Sequence, residues 1–125
     1  ADGVHVGQDD MAAGELRKRI GDKIIGVSAD TVELALKAEA DGADYIGVGA
    51  IYATATKTDA EVVPFETIAA ICQAVTIPVV AIGGIDLHNA AEVLAAGAAS
   101  LAVVRAVTEA ADPAAAVKAF QALWA

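Results

Sequence analysis

Five short aliphatic runs recur along the chain, each closing on a Gly, Ser or polar turn that leads into a stretch with helical spacing. They are Asp2–Val6, Lys23–Val27 (ending at Ser28), Asp44–Gly49, Pro78–Ile82 and Ser100–Val104, with centres roughly 20 to 35 residues apart. That interval is too long for hairpins and fits parallel strands joined by crossover helices. The chain therefore reads as an α/β fold of five βα units. Glu39–Asp44 and Leu94–Ala99 share one pattern, a helix end, a Gly stop and an entry to the next strand. This is repetition of a module, not a solenoid period. The core has to be aliphatic, because 57% of residues are hydrophobic and only 4% aromatic. An aliphatic core favours helices packed on a parallel sheet.

The helices have readable ends. One runs from about Met11 to Ile20. Asp30 or Thr31 caps the next, which carries Val32, Leu34, Ala35, Leu36 and Ala38 on one side and stops at Gly42. Pro64 opens a helix that buries Ile68, Ile71, Cys72 and Val75. A fourth spans about Leu87 to Ala96. Asp112-Pro113 opens the last, with Asp112 as cap, and Phe120 and Trp124 close it onto the sheet.

The 125 residues suffice for one domain, residues 1–125, with a sizeable core. A net charge of −9 disfavours nucleic acid and anionic membranes as partners, though a local site for a small anion remains open. The single cysteine, Cys72, excludes an internal disulfide and reads as inert core. With no apolar run of spanning length and no visible signal peptide, the expected location is the cytoplasm. The first residue is Ala rather than Met, as in a fragment or a processed product.

Two architectures fit this pattern. One is an open doubly wound sheet; the other is part of a (β/α)8 (TIM) barrel, whose full form needs about 250 residues. Both place binding loops at the C-terminal ends of the strands. Those loops carry His5–Asp10, Ser28–Thr31, Ala50–Thr58, Gly83–Asp86 and Arg105–Thr108, whereas the opposite-end loops, Asp41–Ala43 and Gly97–Ala99, are short and bland. The stretch Ile46–Thr58 begins as a buried strand and turns polar, placing Thr54, Thr56 and Thr58 beside Lys57. Hydroxyls, backbone N–H groups and an ammonium make an anion cradle. A Thr-rich surface turn has the same composition.

The segments ADGVHVGQDD, IIGVSADT, EADGADYIGVGAIYATATKT, IPVVAIGGI and NAAEVLAAGA, in this order, resemble the thiamine-phosphate synthase family. The resemblance implies a (β/α)8 barrel that joins a hydroxymethylpyrimidine diphosphate to a thiazole phosphate, releasing pyrophosphate and forming thiamine phosphate with Mg²⁺. It starts at the family's fourth strand, so the five units are similar to strands four to eight. The segments expected from strands one to three, a Gln-x-Arg-x-Lys run and an Asn-Asp pair, have no counterpart here.

Carried over residue by residue, the resemblance makes Asp10 a Mg²⁺ carboxylate, with helix capping by Asp9 or Asp10 as the plainer reading. His5 and Gln8 match the family's His and Gln before that acid, and His5 equally reads as a satisfied strand-end histidine. Ser28 matches a serine near the reacting centre, where a strand–helix turn serine is otherwise ordinary. Thr54 and Thr56 match hydroxyls for thiazole phosphate or pyrophosphate. Lys57 matches the cation that neutralises the leaving diphosphate. Gly83 and Gly84 match the turn whose backbone holds the thiazole phosphate. Val104-Arg105 replaces a family serine, and Arg105 either contacts phosphate or fills the pocket. Asp30 stands where the family has His; as an acid it would repel a diphosphate unless it caps the helix. Ala50, Ala53 and Ala60–Phe65 depart from the family's loop.

A partial barrel of five strands leaves edges and one face open, which predicts completion or closure by self-association, most simply as a homodimer. Two functions follow. One is the transferase chemistry of thiamine-phosphate synthase, at a site completed by a second chain; the other is a non-catalytic phosphate-binding half-barrel that oligomerises. A thiazole tautomerase is a third reading, opposed by Asp30.

Overall fold

The computed structural model describes residues 1–53 and 62–124. Five strands form one parallel sheet: β1 (Gly3–Val6), β2 (Ile24–Ser28), β3 (Tyr45–Val48), β4 (Val79–Ile82) and β5 (Ser100–Ala102), ordered β1-β2-β3-β4-β5. The helices between and after them are α1 (Ala13–Ile20), α2 (Val32–Ala40), α3 (Phe65–Ala74), α4 (Ala90–Ala95), the short α5 (Arg105–Thr108) and α6 (Pro113–Gln121), followed by a 3-10 turn, Ala122–Trp124.

Strand order in chain sequence has a topological consequence. Crossovers of one hand between successive neighbours put every helix on the same face of the sheet. The doubly wound alternative needs a reversal of strand order, and the observed order has none. Burial agrees: Val6, Ile25, Val27, Ile46, Val48, Val79 and Ala81 form one core with Leu16, Ala35, Ala38, Ile68, Ile71, Ala90 and Val93 from the helices. The alternate strand positions face the other way. In register across the sheet these are His5 against Gly26, Gly26 against Tyr45, Ser28 against Gly47, and Ile82 against Ala102. The second face is therefore small and polar toward β1–β3, and apolar at Val80 and Ile82. It is not aliphatic throughout.

Element ends follow the side chains that close them. Thr31 caps α2, its Oγ1 accepting from Leu34 N–H at 3.1 Å. Asp112 caps α6 through Ala115 N–H at 3.1 Å, with Pro113 in the first turn. Neither Asp9 nor Asp10 caps α1, whose N-cap residue is Ala12 with no side-chain bond. Phe120 is buried in the core, and Trp124 Nε1 donates to Ala99 O at 3.2 Å, so both close the last helix onto the sheet as expected. Cys72 is half-buried, and burial pushes its thiol up.

The N-terminal ends of the strands are fastened by Arg17. Its Nη1 donates to the carbonyls of Gly21 and Lys23, both at 2.6 Å. Its Nη2 donates to Gly42 O at 2.6 Å and to Asp44 Oδ2 at 2.7 Å. Asp44 Oδ2 also accepts from Ile25 N–H at 2.8 Å, and that bond, with Arg17 second, holds its carboxyl below the usual carboxylate range. A depressed carboxylate stabilises the fold fully above about pH 4, its ordinary value, and the contribution is lost as the pH falls through the lower native value. Urea midpoints of the wild type and Asp44→Asn should differ at pH 7 and converge toward pH 2; a gap independent of pH contradicts this. Arg17→Met, which strands three carbonyls, should cost about 2 kcal/mol, measurable in the same titration at pH 7.

Candidate phosphate-binding cleft

The C-terminal ends of the strands carry a cleft of about 460 Å³. Its polar lining is Gln8, Ser28, Asp30 and Arg105, and its backbone lining includes the Gly83-Gly84 turn. Aliphatic residues such as Ile82, Ile85 and Val103 complete it.

The turn after β4 approaches the loop after β3 backbone to backbone. Ile51 N–H donates to Ile82 O and Tyr52 N–H to Gly83 O, each at 3.0 Å. A Cβ on Gly83 would lie 2.6 Å from Ala50 Cα, and one on Gly84 2.7 Å from Tyr52 Cβ; both residues also have positive φ, 107° and 67°. Glycine is required at both. Asn89 braces the turn from below. Its Nδ2 donates to Gly84 O at 3.1 Å and its Oδ1 accepts from Asp86 N–H at 2.8 Å.

Tyr52 stands behind the turn. Its hydroxyl meets the Glu92 carboxylate, and its ring lies edge-on to Phe65 with centroids 5.9 Å apart. Burial first, and Glu92 second, push its pKa up to about 12. A raised phenol pKa leaves stability intact below about pH 10, and stability falls as the pH rises from there through the native value. In Tyr45→Phe, Tyr52 is the remaining tyrosine of two. Its absorbance titration should have a midpoint near 12; a midpoint near 10 means the phenol is solvated.

On the open face beside the cleft, three side chains hydrogen-bond in a row. Tyr45 Oη lies 2.8 Å from His5 Nδ1, and His5 Nε2 lies 2.8 Å from Ser28 Oγ. Gln8 Nε2 donates to Ser28 O at 2.7 Å. The structure thus brings His5, Gln8 and Ser28 together, and Gly83, Gly84, Val104 and Arg105 line the same cleft as Gln8 and Ser28. Thr54, Thr56 and Lys57 lie outside the described residues.

Arg105 opens α5, an element the sequence reading passed over. Its Nε donates to Glu109 Oε1 at 3.0 Å, and that partner raises its pKa further. Asp30 corrects an expectation: Thr31 is the cap, so Asp30 is not engaged there and lines the cleft instead. An acid at this wall weakens anion binding. Asp10 is turned inward on its own loop, Oδ2 accepting from Gly7 N–H at 2.7 Å. Among the described residues no three His, Cys, Asp or Glu side chains gather as a cation site. With Oδ2 engaged on Gly7 N–H, Asp10 offers one carboxylate oxygen, and a Mg²⁺ held there would take its other ligands from waters and phosphate oxygens.

Two participants were missed from sequence. Tyr45 reads as an ordinary strand aromatic; the signal that could have found it is Gly26 opposite, a gap in the strand face large enough for a ring. The Tyr52–Glu92 contact spans 40 residues and leaves no local mark.

A parallel sheet wound in one direction, with its cleft at the strand C-termini, defines an α/β protein with TIM-barrel-like structural neighbours. Residues 1–107 match the family described as thiamine monophosphate synthase, and the chain belongs to that family. It is 52% identical to thiamine-phosphate synthase of Bacillus licheniformis over 122 residues, 96% of this chain and 54% of that protein. It is 54% identical to thiamine-phosphate synthase of Chloroflexus aurantiacus over 124 residues, 98% of this chain and 57% of that one. Among solved structures, thiamine phosphate pyrophosphorylase from Pyrococcus furiosus superposes with a TM-score of 0.88 at 41% identity, covering 98% of this chain and 59% of that one. A 3-hexulose-6-phosphate synthase, TM-score 0.75 at 24% identity, shares the fold. The chain spans between half and three-fifths of the length of these relatives.

Proposed function

We propose that the cleft binds a phosphorylated ligand and that the chain takes part in thiamine-phosphate synthase chemistry. The observation that carries this reading is that the Gly83-Gly84 turn, Ser28 and Arg105 line one cleft at the strand C-termini. In that reaction a thiazole-phosphate nitrogen forms a C–N bond to the pyrimidine methylene as its C–O bond breaks, and pyrophosphate leaves with the electron pair. The groups needed are donors that hold phosphate oxygens and a cation that takes up leaving-group charge. Gly83, Gly84, Ser28 and Arg105 supply the former. Lys57 is the proposed cation, with Thr54 and Thr56 as further hydroxyls. His5 and Gln8 hold Ser28 in place. Asp10 would hold Mg²⁺ together with waters and phosphate oxygens, and the metal would add positive charge at the leaving group; no step here is routed through it.

The alternative is binding without turnover, favoured by Asp30 at the cleft wall and by the single Asp10 carboxylate. Calorimetry with inorganic pyrophosphate tests the shared part of both readings. Arg105→Gln should weaken binding about tenfold and Asp30→Asn should tighten it about threefold, the scale of one partly solvated charge. Equal affinities in all three proteins contradict the cleft assignment. Thiamine phosphate formed from the two substrates, and lost in Lys57→Ala, selects the enzyme; pyrophosphate binding without product selects the scaffold.

The arrangement is proposed to be that of a partial (β/α)8 barrel, whose open face, with Ile24 and Ile82 at 53% and 44% exposure, is closed by a second copy of the chain. Sedimentation velocity at micromolar concentration should give a dimer; a monomer contradicts closure by self-association.

A further inference from the structure

We infer that Tyr45 is a positioning residue that holds His5 as its Nε2–H tautomer and thereby turns the Ser28 hydroxyl hydrogen toward the cleft. A neutral imidazole has one donor and one acceptor nitrogen, so the row Tyr45–His5–Ser28 has two possible proton patterns. In the first, the Tyr45 phenol donates to Nδ1 across 2.8 Å, and Nε2–H donates to Ser28 Oγ across 2.8 Å. In the second every proton runs the other way, from Ser28 to Nε2 and from Nδ1–H to the phenol oxygen. Phenols are far stronger acids than alkyl hydroxyls and the better hydrogen-bond donors. The first pattern therefore prevails.

Its consequence falls on Ser28. With Oγ accepting from the imidazole, the serine keeps its own proton, and that proton points away from His5. Ser28 lines the cleft and becomes an O–H donor for an anion, not a nucleophile deprotonated by histidine. This consequence rests on the cleft's being a phosphate site; the tautomer does not.

The backbone accommodates the row at two glycines. Gly26 is opposite Tyr45 in register, and a Cβ there would lie 2.0 Å from Tyr45 Cζ. A Cβ on Gly47 would lie 3.1 Å from His5 Cε1. The two rings meet at 5.5 Å between centroids and 35° between planes.

The chain has two histidines, so His88→Gln leaves His5 as the one imidazole in a two-bond ¹H–¹⁵N correlation spectrum. At pH 8.5 the Nε2–H pattern is expected with Nδ1 hydrogen-bonded. Tyr45→Phe should move Nδ1 toward the shift of a free imine nitrogen and admit the Nδ1–H form. Ser28→Ala should keep the wild-type pattern, because Tyr45 still donates. Pyrophosphate affinity should fall about fivefold in Tyr45→Phe and in Ser28→Ala, the scale of one hydrogen bond, and no further in the double variant. An Nδ1–H form in the wild type, an unchanged Tyr45→Phe spectrum, or a tautomer change in Ser28→Ala overturns the assignment. Absence of pyrophosphate binding in the wild type removes the cleft reading, and the tautomer spectra then decide the role of Tyr45 by themselves.

Discussion

The ligand end of this protein depends on main chain meeting main chain with no Cβ between. Gly49 leaves β3 where a Cβ would lie 2.3 Å from Ile82 O, and Gly83 leaves β4 against Ala50. Those contacts let two loops from neighbouring strands close on one another and leave the floor of the cleft as bare backbone. Any side chain there forces the loops apart. Gly26 and Gly47 extend the same logic onto the sheet face, where they make room for the Tyr45 and His5 rings and so fix where Ser28 hangs.

The two ends of the sheet are held differently. At the N-terminal end Arg17 and Asp44 make charge-assisted bonds to three carbonyls and one amide, closing the short loops around α1 and β2. At the C-terminal end Gln8, Ser28, Asp30 and Arg105 line a cleft. Among the described residues Arg105 is the cation on its wall and Asp30 the anion. The helix-covered core supplies the rigid support for both ends, with Ile25, Ile46, Ile68, Ile71 and Val93 essentially without solvent contact.

Much of this was legible in the sequence because periodicity and turn chemistry are local. The five strands and the Asp112-Pro113 start came from spacing and capping alone, and the identity of the loops that carry the site followed from the asymmetry between long polar and short bland connections. Pattern could not choose between one-sided and two-sided helix layers, since strand order is a non-local property; the observed order settled it. Asp30 and Thr31 were equivalent as caps until backbone geometry assigned the role to Thr31. The open face is not aliphatic throughout because Gly26, Ser28 and Gly47 interrupt it. Tyr45 escaped notice because its partners, His5 and Ser28, lie on two other strands.

The most direct test of the account is amide chemical-shift mapping during titration with inorganic pyrophosphate. Perturbations centred on Ser28, Gly83, Gly84 and Arg105, with the amides around Arg17 and Asp44 unmoved, are the predicted result. Shifts centred on the Arg17–Asp44 end, or none at saturating ligand, would show that the glycine-built cleft is not a phosphate site.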